Sequence, residues 1–219
     1  MLKSRRALNW YNLFSKVYTF TNDYPYTKIR KKAIDELELK KGDVVLDLFC
    51  GTGVNFKEIC SQIGQNGIIV GIDGSSGMLS KARETISVIE NPSSVRLIEK
   101  DLRMVGCDFF LKTIPTETVP KVLITLGPGG MPGWETFWKN LFSAVPSGTR
   151  FVTMDVFCKK GSLSGAIINL IGAGSWKIDV SSHTPWKYLA KNCDNYRESI
   201  FRAFKLLDCD LVLASGRKR

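Results

Sequence analysis

Long apolar runs are missing from this 219-residue chain. None approaches the roughly 20 residues that a membrane-spanning helix requires, and the basic start from Met1 to Arg6 leads into Trp10, Tyr11 and Asn12 instead of a signal-peptide apolar stretch. A cytoplasmic protein is the expectation. Closely spaced cysteines are missing too. Cys50, Cys60, Cys107, Cys158, Cys193 and Cys209 stand singly, without the short gaps of a zinc site, so no metal is expected and they read as reduced core or loop thiols. Histidine is nearly absent. His183, in a polar Ser-Ser-His-Thr segment, is the one imidazole, so any histidine base has to be this residue. Internal repeats and low-complexity tracts are lacking as well.

What is present is an ordinary globular composition, 44% hydrophobic and 24% charged, with enough apolar mass for one sizeable core. Lysine and arginine number 31 against 21 acidic residues, a net charge of +10. That balance keeps phosphate-bearing partners open, nucleic acid or anionic lipid, and selects neither.

From residue 43 short apolar runs alternate with stretches of helical period, the pattern of a parallel sheet covered by helices. The runs are Val44–Phe49, Ile68–Ile72, Val95–Ile98, Val122–Leu126 and Phe151–Phe157. Between them Val54 to Ile63, Ser76 to Ile86 and Trp134 to Val145 read as helices. After residue 158 the composition changes. Gly161–Trp176 is rich in Gly, Ser and Ile, Pro185–Asn192 reads as a short helix, and Tyr196–Phe204 and Leu207–Ser215 read as strands. The gap between those strands is too short for a helical crossover, so an antiparallel hairpin is expected. Before the sheet, Tyr26 to Leu37 reads as a helix with Ile29, Ala33, Ile34 and Leu37 on its buried side.

The most informative stretch is Val44-Val-Leu-Asp47-Leu-Phe49-Cys50-Gly51-Thr52-Gly53, an apolar strand that runs into a Gly-x-Gly turn at the mouth of a helix. Two glycines allow a tight turn and close approach of the backbone to a ligand. A dinucleotide fold usually carries a third glycine three residues on, where this chain has Phe56. A carboxylate at Asp47 opposes a pyrophosphate and favours a cation. Asp73 ends the second strand 20 residues after Gly53, the spacing at which an acidic side chain takes ribose hydroxyls, and Asp101 follows the third strand. Carboxylates at the ends of successive strands meet along one sheet edge. Adenosine with a cationic tail describes S-adenosylmethionine.

With Gly71-Ile-Asp73-Gly74-Ser-Ser-Gly-Met78-Leu and Asp101-Leu102, the chain resembles the Rossmann-like class I S-adenosylmethionine-dependent methyltransferases from about residue 43 to 157. The resemblance implies a seven-stranded α/β sheet, mostly parallel with an antiparallel C-terminal hairpin strand, and helices on both faces. It also implies that Asp47 and the turn from Phe49 and Cys50 through Gly51, Thr52 and Gly53 hold the methionine end. Asp73 and Gly74 take the ribose, Met78 packs on the adenine, Asp101 and Leu102 read the adenine edge, and Thr125 ends the fourth strand beside the donor. Residues 1–42 form a helical cap or lid, and 43–219 the methyltransferase domain, with an acceptor-side insertion at 161–192.

The segment from Trp10 to Tyr18 resembles the opening of the quinone-biosynthesis and phospholipid N-methyltransferase-like branches, and Met131-Pro-Gly-Trp134 and Pro185-Trp186 are similar to segments of enzymes that methylate lipid headgroups, including betaine lipids. A small-molecule or lipid-like acceptor, including an amine headgroup, is therefore expected. Tyr11 and Tyr18 are candidates for an aromatic lid over the donor or for simple packing of the cap. Asp155, near the end of the fifth strand, and His183 are candidate bases, each with a plain alternative as a turn cap or a solvated loop residue. Ten basic against four acidic residues between 1 and 42 form a solvated face or rest on anionic lipid. A nucleic-acid methyltransferase is the alternative enzyme. Thr125-Leu126-Gly127-Pro128-Gly129 lacks the Asn/Asp-Pro-Pro-aromatic loop of nucleic-acid amino methylators, which disfavours a nucleic-acid partner. A catalytically silent donor-binding scaffold and a nicotinamide oxidoreductase complete the set of rivals.

Overall fold

The computed structural model describes residues 26–90, 92–128, 131–161, 183–202 and 209–219. Each apolar run forms a strand, within two residues of its expected ends: β1 Val44–Leu48, β2 Ile68–Asp73, β3 Ser94–Glu99, β4 Lys121–Thr125 and β5 Arg150–Cys158. Two more, β6 Cys193–Arg202 and β7 Cys209–Lys218, complete a seven-stranded sheet in the order β3-β2-β1-β4-β5-β7-β6. The first five strands run parallel. β7 inserts antiparallel between β5 and β6, with the pairing of β6 shifted between Asp194 and Arg197. The order reverses after β1, and β1 and β4 flank the point where such sheets bind ligands.

Helices cover both faces because each strand alternates its apolar side chains. On one face Val45, Ile69, Leu123, Val152 and Leu211 pack against α1 (residues 26–35), α2 (Phe56–Ile63) and α3 (Ser76–Ser87). On the other, Leu46, Val70, Val122, Phe151 and Val212 pack against α4 (Cys107–Thr113), α5 (Trp134–Ala144) and α6 (Lys187–Asn192). The sequence pattern did not anticipate α4. Trp138, fully buried, meets Phe137, Phe142, Phe151 and Tyr188 within 6 Å between ring centres, an aromatic wedge that fixes α5 on the sheet.

α1 buries Ile29, Ala33, Ile34 and Leu37, the residues its periodicity names. Its end is clamped by Arg150 of β5, whose Nε donates to the Glu36 carbonyl at 2.8 Å and whose Nη2 reaches the Glu36 carboxylate at 2.9 Å. This ion pair, buried on its Arg150 side and partly exposed at Glu36, ties the end of α1 to the sheet.

The cysteine expectation is corrected in one respect. Cys158 and Cys209 are direct register partners across β5 and β7 and form a disulfide, with Cα atoms 4.1 Å apart. They lie 51 residues apart in sequence, so their meeting follows from strand pairing alone. Cys50, Cys60, Cys107 and Cys193 are free. Among the described residues no helix is long and apolar enough to cross a membrane, and no group of three or more His, Cys, Asp or Glu could hold a metal ion.

Candidate donor-binding site

A cavity of about 910 Å³, partly open to solvent, lies at the carboxyl ends of β1, β2, β3 and β4. Phe49, Cys50, Gly51, Thr52, Asp73, Gly74, Met78, Asp101, Leu102 and Thr125 line it. Ten of the residues singled out from the sequence thus share one surface. Parallel strands deliver this result because every loop that follows a strand emerges on the same edge.

The turn after β1 is strained at its first residue. Phe49 adopts φ +59°, a left-handed conformation that costs a bulky side chain energy, and Leu126 after β4 adopts φ +60°. The two loops interlock. A Cβ on Gly127 would sit 2.5 Å from Cγ of Phe49, so only glycine lets the ring lie against the β4 loop. On its other side the Phe49 ring meets Phe137 edge-on at 5.4 Å.

Phe56 fills the place of the third glycine. A Cβ on Gly53 would stand 2.6 Å from the Phe56 ring, and one on Gly71 would stand 2.8 Å from it. The fully buried ring sits between α2 and β2, where the third glycine of a dinucleotide fold lets helix and strand pack closely. Gly53 supports this turn from behind and does not line the cavity.

Asp73 is held open toward the cavity by backbone amides. Oδ2 accepts from Gly51 N–H at 3.0 Å and Oδ1 from Ser75 N–H at 2.9 Å, which joins the β1 turn to the β2 turn. Burial raises its pKa against those hydrogen bonds. Ser75 caps α3, its Oγ accepting from Met78 N–H at 3.2 Å, and so sets Met78 in the wall. Asp101 accepts from Arg103 Nε at 2.6 Å and pairs with its Nη2. Arg103 also lines the cavity.

Asp47 lies beneath the cavity instead of on its wall. It is fully buried and accepts from Asn55 Nδ2 at 3.3 and 3.1 Å. Burial pushes its pKa up to about 7, while the Asn55 hydrogen bond and the Arg30 charge pull it down. Cys50 faces the cavity, but burial holds its thiol well above the usual range, so it is no thiolate nucleophile.

The other candidates lie elsewhere. Asp155 is buried on β5, its Oδ1 accepting from Val156 N–H at 2.8 Å, and does not line the cavity. His183 precedes α6, half-buried, and does not line it either. Tyr11 and Tyr18, and most of the 161–192 segment, fall outside the described residues.

Sequence reasoning missed Arg30 and Asn55. Arg30, counted there with the basic charges of residues 1–42, is only 9% exposed and lines the cavity. A signal existed, since Tyr26, Arg30, Ala33 and Leu37 share one helical face, which puts a cation inside an apolar stripe. Asn55 occupies the N-cap position of α2 yet makes no capping bond, because its side chain turns inward to Asp47 and Thr125.

Comparison with known proteins agrees with this geometry. Residues 39–104 match a family model described as a methyltransferase domain. The chain is 36% identical over 72 residues to a demethylmenaquinone methyltransferase of Desulfitobacterium hafniense, covering 33% of this chain and 28% of that one. It is 28% identical over 150 residues to the Lactobacillus johnsonii enzyme of the same name, covering 58% of this chain and 62% of that one. The aligned stretches thus span less than two thirds of these relatives' lengths. Among solved structures, a Haemonchus contortus phosphoethanolamine N-methyltransferase 2 superposes with a TM-score of 0.66 at 14% identity, over 94% of this chain and 57% of that one. The matched segment holds the glycine turn and both cavity-facing carboxylates, and the superposition extends over nearly the whole sheet. Residues 39–104 thus resemble a methyltransferase domain, and the fold is that of solved methyltransferases.

Proposed function

We propose that the protein transfers the methyl group of S-adenosylmethionine to a small-molecule or lipid-like acceptor. The observation that carries this reading is the pinned Asp73 carboxylate, held by Gly51 and Ser75 amides at the mouth of the cavity while Asp101 stands at the end of the neighbouring strand. Asp73 offers acceptor lone pairs to two ribose hydroxyls. Met78 and Leu102 supply apolar walls for the adenine, and Asp101 accepts from its amino group while sharing its oxygens with Arg103. Gly51 and Gly74 let the backbone approach. The rival nicotinamide cofactor is disfavoured because Phe56 stands where a dinucleotide fold carries the third glycine that lets its helix pack close to the strand.

The bound donor supplies a methyl group already activated on a sulfonium. The chain's own task is to align the acceptor with that carbon and exclude water, an arrangement that supplies about 7–11 kcal/mol in well-oriented reactions. No covalent intermediate on the protein is required. An amine acceptor must lose its proton before attack. Among the described residues neither Asp155 nor His183 reaches the cavity, so desolvation of the acceptor carries this requirement in our reading.

The demethylmenaquinone and phosphoethanolamine enzymes to which the chain is similar support a small or lipid-like acceptor, while its similarity to a 23S rRNA (uracil-C5)-methyltransferase keeps the nucleic-acid alternative in the test. Incubation with methyl-labelled donor and separate quinol, phospholipid and small-amine fractions, followed by mass analysis, identifies it. Label in RNA or DNA, together with heparin retention that falls steeply with salt, supports the nucleic-acid alternative instead. Donor binding without turnover on any fraction points to a silent scaffold subunit.

A further inference from the structure

The sheet is open at its β6 edge. β7 fills one side of this strand, and no described strand pairs with the other. An unpaired edge presents alternate N–H and C=O groups to any strand that can add to it, and proteins blunt such edges with a bulge, a proline or short length. Here the irregularity is confined to the stretch between Asp194 and Arg197, and from Arg197 to Arg202 the register is regular and free of proline. Ile200, in the middle of that run, is 60% exposed.

Side chains alternate across β6. Glu198, Ile200 and Arg202 share the α6 face, where Lys187 Nζ donates to Glu198 at 2.7 Å. Ser199 and Phe201 share the α1 face, where Lys32 Nζ stands 4.9 Å from the Phe201 ring centre. The α6 face thus reads acidic, apolar, basic at steps of two residues. Turning the strand end for end reverses that order, so opposite charges meet.

The strand is self-complementary in one register. A two-fold axis through the sheet requires directly opposed residues to share a face, so the axis passes a residue opposed to its own copy. Centred on Arg197 or on Glu198, like charges oppose each other. Centred on Ser199, Ile200 lies opposite Glu198. Centred on Ile200, the two isoleucines meet, Glu198 opposes Arg202 twice, and the small Ser199 opposes Phe201 twice. β3, the strand at the other edge, offers no such pairing, because its Arg96 and Glu99 lie on opposite faces.

We propose that a second copy of this chain pairs with β6, antiparallel and centred on Ile200, so that two sheets become one. The donor cavity lies at the ends of β1 to β4, with β5 and β7 between it and this edge, so the pairing closes neither cavity.

The test is sedimentation velocity on the full chain over a range of concentrations, with thermal melts to establish folding. The unaltered chain is expected to dimerise reversibly. Ile200→Asp sets two carboxylates together at the axis and is expected to weaken the dimer at least tenfold. Glu198→Arg and Arg202→Glu each oppose like charges and are expected to do the same. Mixing those two single variants restores both ion pairs and with them the dimer, a recovery that general damage to the strand, or loss of the Lys187 pair, does not give. The double variant recovers for the same reason and decides the matter if Ile200→Asp does not fold. Under mild oxidation Ile200→Cys links two copies, whereas Glu198→Cys, which stands opposite Arg202, does not, with the unaltered chain as the control for its own free cysteines. A monomer at every concentration, a dimer indifferent to Ile200→Asp, or single charge variants that neither mixing nor combination rescues overturns the proposal.

Discussion

The amide of Asn55 donates to both oxygens of Asp47, at 3.3 and 3.1 Å, across eight residues of chain, and both side chains are nearly inaccessible to solvent. The N-cap residue of a helix has become the partner of a buried acid. Four side chains, Arg30, Asp47, Asn55 and Thr125, so form a polar floor beneath the β1 turn.

Asn55→Ala leaves Asp47 without its donor. Loss of a hydrogen bond to a buried charged group costs about 1–3 kcal/mol, and the cost is larger where Asp47 is ionised. Urea midpoints should therefore drop more at about pH 8 than at about pH 5.5. An equal drop at both indicates that Asn55 serves packing alone.

Burial raises the Asp47 carboxyl from 3.8 to about 7. Below about pH 4 it is protonated in folded and unfolded chains alike. Between about pH 4 and 7 the unfolded chain has released this proton while the folded chain keeps it, so stability from this group falls as pH rises and levels off above. Asp73, also raised by burial, acts in the same direction. Melting temperatures should decline between about pH 5 and 7.5, and Asp47→Asn should flatten that slope. A slope unchanged in the variant assigns it to other groups.

Asp73→Ala removes the carboxylate that joins two turns and lines the cavity. Donor affinity should weaken by about 1.5–3 kcal/mol, the range for a charged hydrogen bond, in a chain that still folds. Calorimetry with S-adenosylhomocysteine is the measurement, and unchanged affinity removes Asp73 from the site.

Gly127→Ala drives a methyl group into the Phe49 ring. Overpacking of this kind costs about 1–3 kcal/mol and displaces the turn that lines the donor cavity, so donor affinity and stability should fall together. Phe49→Ala removes the obstacle, and the double variant should lose less than the two single losses combined. Strict additivity would show that the ring and Gly127 do not compete for space.

The five parallel strands and the acids at or just after the ends of two of them were legible in the sequence, because apolar runs of strand length and chain punctuation are local signals. Val44–Leu48, Ile68–Asp73 and Lys121–Thr125 sit where their composition puts them, and a parallel sheet sends Gly51, Asp73 and Asp101 to one edge whatever else surrounds them. The depth of Asp47, the inward turn of Asn55, the burial of Arg30 and the Cys158–Cys209 disulfide were decided only by the tertiary structure. Arg30 meets Thr125 across 95 residues, Asn55 meets Thr125 across 70, and the two cysteines meet across 51. Periodicity tells which face of an element is buried. What stands opposite that face depends on strand order and register, and these set whether a charged side chain ends in water, in the core or, like Arg30, against a cavity.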